Sequence, residues 1–286
     1  MSALILEGHA LAGGLLVETQ AQAQNVRAAR GRPPRLAILL MGDNPGALAY
    51  AARQAEFAAR AGVEADLKHI AADASLEEVL HLIETLNADD AIDGLLPLLP
   101  FCAHIEPRHL AQAIDPRKDV DGLTPLNAGR LAIGLDALAP CTPQGAVLLA
   151  ESALGDLKGL DVTVVGASIS VGRPLAHMLL QREATVTVAH IATRDLAKAC
   201  RSADVLFVAA GKPGLITGAH VKPGATIIDI GINIIDDGAG GKRIVGDVDI
   251  ASAQQVAKAI SHAPDGVGPL TTAYLMANTV RAASVR

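Results

Sequence analysis

The chain has 286 residues, half of them apolar and 19% charged, which at about 150 residues per domain suits two domains with substantial cores and excludes disorder over most of its length. A net charge of −6, two Tyr, three Phe and no Trp argue against a nucleic-acid surface, which needs cations for phosphates and rings for bases. No apolar run approaches the ~18 residues of a membrane span, and Cys102, Cys141 and Cys200 show neither disulfide nor zinc spacing, so a soluble cytoplasmic enzyme without a metal site is expected.

The chain opens without a basic stretch, and Glu7 interrupts its apolar start, so a signal peptide is not expected. Residues 8–29 have helical composition and stop near Gly31 and Pro33-Pro34. Arg35 to Met41 is an apolar run read as a buried strand, and Gly42-Asp43-Asn44-Pro45-Gly46 is loop chemistry. A helix is predicted over 46–61, stopping at Gly62, then a strand over 63–70. Ser75 with Glu78 three residues on is a capping box, opening a helix to about Asn87. Residues 92–96 form a third apolar run ending at Pro97. The order β-α-β-α-β predicts a mostly parallel sheet wrapped by helices.

From Pro107 to Pro143 the pattern changes, with Pro116, Pro125 and Pro140 between them and a charged string from Asp115 to Asp121. Such a segment is expected to be loop, carrying site residues or a domain junction. A helix over 144–154 leads into a second α/β array of mononucleotide-binding type. Its strands are predicted at 160–165, 184–189, 204–209 and 225–230, its helices at 173–182 and 194–201, and a final helix spans 270–284.

Between the first strand and helix of that array lies Gly166-Ala-Ser-Ile-Ser-Val-Gly172. A glycine turn there lets backbone approach a diphosphate, while the helix start supplies free N–H groups and a positive dipole end. The spacing departs from G-x-G-x-x-G, so a plain tight turn is the rival reading. Arg173 follows the second glycine, and His190 ends the second strand where NAD-specific folds carry a ribose-binding carboxylate. Both features favour NADP.

Six ordered motifs carry a resemblance: Lys118-Asp-Val-Asp-Gly122, Pro140-Cys-Thr-Pro143, Gly166 to Pro174, Gly211-Lys-Pro-Gly214, Asp229-Ile-Gly-Ile-Asn233 and Gly266-Val-Gly-Pro269. Over about residues 5–282 the chain resembles the bacterial bifunctional methylenetetrahydrofolate dehydrogenase/methenyltetrahydrofolate cyclohydrolase family. The resemblance implies an α/β fold: an N-terminal catalytic, folate-binding domain over 1–139, to which 270–286 returns as a packed C-terminal helix, and a Rossmann-type NADP domain over 140–269. Folate would lie between them, in a homodimer. Gly166, Ala167, Ser168, Gly172, Arg173 and Ile232 would line the NADP site, with Arg173 on the 2′-phosphate. Tyr50 would stack on the folate rings and Asp121 would bind the pterin's amino edge, with Pro264, Asp265 and Gly266 also at the substrate.

Three positions depart from the family pattern. Its Tyr-x-x-x-Lys is Tyr50-Ala-Ala-Arg-Gln54, its Val-Gln-Leu-Pro is Pro97-Leu98-Leu99-Pro100, and its Pro-Gly-Gly-Val-Gly-Pro is Pro264-Asp265-Gly266-Val-Gly-Pro269. Hydride transfer asks mainly for positioning, whereas hydrolysis of the methenyl cation needs proton transfers that the resemblance assigns to the Lys, helped by the Gln. Gln54 cannot exchange a proton at neutral pH and Leu98 has no polar group, so cyclohydrolase activity is expected to be lost or very weak. The rivals are that Arg53 replaces the Lys charge, that Asp265 merely fills a left-handed turn, and that Leu98 is core packing. Tyr50 as an ordinary aromatic and Asp121 as a solvated loop residue complete the set. Retained bifunctionality, or a silent folate/NADP-binding paralogue, are the alternative functions.

Overall fold

The computed structural model describes residues 2–98, 104–236, 238 and 241–285, so Leu99, Pro100 and Cys102 lie outside the described residues. In chain order the first elements are β1 (Leu4–Leu6), α1 (His9–Arg30), β2 (Arg35–Met41), α2 (Pro45–Ala61), β3 (Glu64–Ile70), α3 (Leu76–Ala88) and β4 (Gly94–Pro97). Then come α4 (Pro107–Ala113), α5 (Pro125–Ala132), α6 (Cys141–Leu154), β5 (Asp161–Val165), α7 (Gly172–Leu180), β6 (Thr185–Ala189), α8 (Leu196–Arg201) and β7 (Val205–Val208). A 3₁₀ turn (Gly218–His220), β8 (Thr226–Asp229), β9 (Asn233–Asp236), β10 (Lys242–Val245), α9 (Ile250–Ala253), β11 (Ala259–Ser261) and α10 (Val267–Ser284) complete the described chain.

Two compact units result, one of Gly13–Cys141 with Thr272–Arg286, the other of Met1–Ala12 with Thr142–Thr271. The first holds a parallel sheet in the order β3-β2-β4. Its central strand β2 is buried after Arg35, so each face needs its own cover. Leu36, Ile38 and Leu40 join a core with residues of α1, α2 and α10, including Val26, Ala58, Leu275, Met276 and Val280. Ala37, Leu39 and Met41 face the other way, into a core with Val79, Ile83 and Leu86 of α3 and Leu110 of α4. The C-terminal helix thus packs on the sheet of this unit.

Local signals explain where its helices begin and end. The Asn44 side chain accepts from the Gly46 and Ala47 N–H groups to open α2, and Gly62, at φ 75°, closes it. The Ser75–Glu78 box opens α3 with both of its reciprocal hydrogen bonds. The proline-rich stretch expected to be loop contains two short helices, because Pro107 and Pro125 sit at helix starts, where a missing N–H costs nothing.

The second unit is a six-stranded parallel sheet in the order β1-β11-β8-β7-β5-β6, with an antiparallel β9–β10 hairpin beside it. Two strands of the sheet, β1 and β11, and both strands of the hairpin lie beyond the predicted set. β1 pairs with β11 in register Leu4↔Ala259, so the start of the chain belongs to this sheet and not, as the expected 1–139 boundary had it, to the first domain. The order reverses between β5 and β7, and a crevice for a ligand lies past the carboxyl ends of strands at such a point. Among the described residues no helix is long and apolar enough to cross a membrane.

Candidate active site

In the six-stranded unit, β5 runs into Gly166, whose φ of 117° suits only glycine; a Cβ there would lie 2.0 Å from the Ala209 carbonyl oxygen at the end of β7. Ser168 shapes the turn by accepting from the N–H groups of Val171 (3.1 Å) and Gly172 (3.4 Å). Arg173 donates its N–H to the Ser168 carbonyl (3.1 Å) and its Nε–H to the Ala167 carbonyl (3.0 Å), which pins the stem of an exposed guanidinium to the turn. Gly166, Ala167, Ser168, Gly172 and Arg173 therefore form one local structure at the start of α7. Ile232 is 55% exposed beyond β8, and His190 is exposed just past β6.

Two buried aspartates brace the neighbouring strand ends, and neither was singled out as a site residue by sequence. Asp247 accepts from the backbone of Ala210 (2.6 Å), Gly211 (2.8 Å) and Lys212 (2.8 Å) and from the Asn233 amide (2.8 Å). Asp229 accepts from Gly231, Asp247 and Val248 N–H groups at 3.0–3.1 Å. Burial pushes the Asp229 carboxyl up to about 6, although these three donors favour its charged form. A carboxylate inside the apolar run Ala-Thr-Ile-Ile-Asp229-Ile was the available signal.

In the three-stranded unit, Tyr50 and Gln54 lie four residues apart on α2, on one face of the helix. Gln54 is fully buried: its Nε2 donates to Thr272 Oγ1 at 3.4 Å, and its Oε1 has no partner. Tyr50 is 43% exposed, and the protein still crowds its hydroxyl enough to disfavour the phenolate. That crowding, then the nearby Asp121 charge, raises the phenol to about 12, partly opposed by a hydrogen bond from Gln54. Arg53, one residue before Gln54, is exposed.

Asp121 is not a solvated loop residue, because the string around it is anchored. Lys118 is fully buried and donates from Nζ to the Leu86 and Asp89 carbonyls, both at 2.7 Å. Asp119 accepts from the N–H groups of Leu123 and Thr124 and from the Asn127 amide. Asp121 itself accepts from the Cys141 N–H at 3.1 Å. Burial raises its carboxyl to about 6; the Cys141 N–H pulls the other way, and the Asp119 charge adds to the rise. Burial holds the Cys141 thiol well above its ordinary range, as suits an inert, packed cysteine.

Leu98 is 7% exposed and belongs to the apolar core with Ala51, Val120 and Cys141. Its side chain fills that core, whatever stands at the position in relatives. Pro264, Asp265 and Gly266 fall in the other unit. There Asp265 Oδ1 meets His9 Nε2 at 3.2 Å, its carbonyl accepts from the Gly8 N–H, and Gly266 N–H donates to the His262 carbonyl. Glu183 alone among described non-glycine residues has a positive φ, so Asp265 does not fill a left-handed turn. Among the described residues no cluster of His, Cys, Asp or Glu could hold a metal ion.

The tetrahydrofolate dehydrogenase/cyclohydrolase catalytic-domain model matches residues 6–121, and the NAD(P)-binding-domain model of the same family matches residues 140–286. The chain is 45% identical to the "Bifunctional protein FolD" of Sphingopyxis alaskensis, over 99% of this chain and 95% of that one. Among solved structures, the bifunctional methylenetetrahydrofolate dehydrogenase/cyclohydrolase FolD of Campylobacter jejuni superposes with a TM-score of 0.94 at 39% identity, covering both chains in full. The Trypanosoma brucei methylenetetrahydrofolate dehydrogenase-cyclohydrolase, determined with NADP and an inhibitor, gives 0.93 at 32% identity, over 100% of this chain and 99% of that one. Two family models together spanning most of the chain, and full-length relatives above 30% identity, agree with the motifs and with the two sheets: the chain belongs to the tetrahydrofolate dehydrogenase/cyclohydrolase family.

Proposed function

We propose that this chain is an NADP-dependent 5,10-methylenetetrahydrofolate dehydrogenase of one-carbon metabolism that hydrolyses its methenyl product slowly or not at all. One observation carries the second half: the family's lysine position is Gln54, a fully buried amide with an unpartnered oxygen. The reading includes a cytoplasmic homodimer, supported by the family resemblance alone.

NADP, when bound, accepts the hydride that leaves the methylene bridge, and the folate is left as the methenyl cation. The residues of the Gly166–Gly172 turn fit its diphosphate. They offer bare backbone at a helix start, with no room for a Cβ at either glycine, and the exposed Arg173 head beside it suits a phosphate. Gly166, Ala167, Ser168, Gly172, Arg173 and Ile232 are assigned to the cofactor. Tyr50 offers its partly exposed side chain for stacking, and Asp121 offers a carboxylate for the pterin's amino edge. Pro264, Asp265 and Gly266 are assigned to the substrate as well.

Neither Tyr50 nor Gln54 supplies a proton-exchanging group near neutral pH, since burial lifts the phenol to about 12 and an amide does not titrate. Arg53 does not replace the lysine, because it is exposed and a guanidinium holds its proton. The chain orients the folate and leaves the methenyl cation without a base for water. Full bifunctionality is the second reading, favoured by the likeness to bifunctional proteins at 44–45% identity.

A single time course separates them. With methylenetetrahydrofolate and NADP, NADPH absorbance is expected to rise while methenyl absorbance accumulates and decays no faster than in a no-enzyme control. Methenyl decay above that control makes the enzyme bifunctional. Binding without any NADPH makes it a silent paralogue.

Arg173→Gln gives a second expected result. Losing the cation for the 2′-phosphate should cut kcat/KM for NADP by about 10²-fold, the scale of a charge-assisted contact of 1.5–3 kcal/mol. The NAD value should change less than about threefold. Equal losses for both cofactors would show that Arg173 shapes the turn and does not choose the cofactor.

A further inference from the structure

Asp121 depends on a side chain far from it in sequence. Asn278 lies on α10, 3% exposed, inside the three-stranded unit. Its Nδ2 donates to the Val120 carbonyl at 2.7 Å and to the Ala139 carbonyl at 2.8 Å. An amide nitrogen has two hydrogens, so both are spent on two separate backbone segments. The first carbonyl immediately precedes Asp121; the second lies two residues before Cys141, whose N–H donates to the Asp121 carboxylate at 3.1 Å. The Cys141 thiol closes the ring by donating to the Val120 carbonyl at 3.3 Å. The same segments also touch at Gly122, which has φ 61° and where a Cβ would lie 2.5 Å from the Leu138 carbonyl oxygen. Nothing softer than backbone separates them, so their spacing is set by what ties the carbonyls together.

We propose that Asn278 is a positioning residue for Asp121, its amide clamping the 120–122 and 139–141 segments so that the carboxylate is presented to the pterin in one orientation. The proposal rests on the reading of Asp121 as a folate-binding group. Asn278 touches neither substrate nor cofactor in this scheme. A serine in its place leaves one short hydroxyl for two carbonyls, and the clamp opens.

The test is a cycle of Asn278→Ser with Asp121→Ala, measuring KM for methylenetetrahydrofolate, KM for NADP and kcat in the full-length enzyme, with melting curves as the check on folding. Asn278→Ser alone is expected to raise the folate KM about tenfold, with kcat and the NADP KM within about threefold. In the Asp121→Ala background the same change should move the folate KM less than about twofold, because the group it positions is gone. An equal rise in both backgrounds, or no rise in the folded single variant, overturns the proposal. Asp121→Ala leaving the folate KM unchanged overturns the assignment of Asp121, and the positioning role falls with it. Should Asn278→Ser not fold, Asn278→Thr, which nearly keeps the side-chain volume and also leaves one hydroxyl for the two carbonyls, carries the same comparison.

Discussion

Gln54→Lys combined with Leu98→Gln is expected to speed methenyl hydrolysis over the parent by about 10²–10⁴-fold, the usual worth of a positioned acid–base group. The lysine would enter a fully buried place beside the Tyr50 hydroxyl and 3.4 Å-scale reach of Thr272 Oγ1. Burial disfavours an ammonium, so its pKa should fall toward neutrality, which is what a group that must both take and give a proton requires. Two oxygens close by, one phenolic and one from threonine, can hold the charged form when it is needed. The accompanying glutamine replaces a core leucine that sits with Ala51 and Ala58, residues one turn before and after Gln54. Alone, it should cost about 1–3 kcal/mol as a polar group buried without a partner. Together with the lysine it gains one, so the double variant should melt higher than the sum of the two single losses predicts. The measurement is the methenyl decay rate of the double and both single variants, with NADPH formation as the control for an intact site. Intact NADPH formation without faster decay would mean that the missing lysine is not the block, and would move attention to Asp265 beside His9.

The parts of this architecture that were legible are those whose causes are local. β2 shows itself by the unbroken apolar run Leu36 to Met41 between turn residues, and α3 by a capping box that needs only Ser75 and Glu78. β1 and β11 have three residues each and are strands only because they pair with partners distant in sequence, Leu4 with Ala259 and Ala259 with Thr226. No window around Leu4 contains that information. Pro107 and Pro125 fall in a stretch expected to be loop, although proline at the first helical position begins a helix. At the site, Tyr50 and Gln54 announce their shared face by a spacing of four. The support under Asp121 does not, since a contact between the Asn278 amide and two backbone carbonyls depends on where three segments meet. Asp247 was missed for the same reason, as its partners are backbone N–H groups 35–37 residues away.

Gly172→Ala should weaken NADP binding sharply through a single added methyl group. The added Cβ would lie 2.0 Å from the Gly166 carbonyl oxygen, 2.6 Å from its carbon and 3.0 Å from Ala167 Cα, all of them backbone. No flexible side chain can swing aside. Gly166 cannot retreat either, since the space behind its own α-carbon is taken by the Ala209 carbonyl at the end of β7. The start of α7 must therefore move outward, which breaks the Ser168 hydroxyl contacts to Val171 and Gly172 and detaches Arg173 from Ala167. A diphosphate held by that backbone loses its donors together, so the NADP Kd is expected to rise at least about 100-fold, equivalent to about 2.7 kcal/mol. Overpacking of this kind should also cost stability, about 1–3 kcal/mol, which lowers the melting temperature by several degrees for a chain of this size. Gly13→Ala on α1 is the matched control: nothing lies within 4 Å of its added Cβ, and alanine in a helix interior is favoured over glycine by about 1 kcal/mol. It should bind NADP like the parent and melt no lower. NADP titration and thermal unfolding of the two variants decide the matter. A Gly172→Ala enzyme that holds NADP within about threefold of the parent would show that the diphosphate does not rest on this turn, and Arg173 would lose its place in the cofactor site with it.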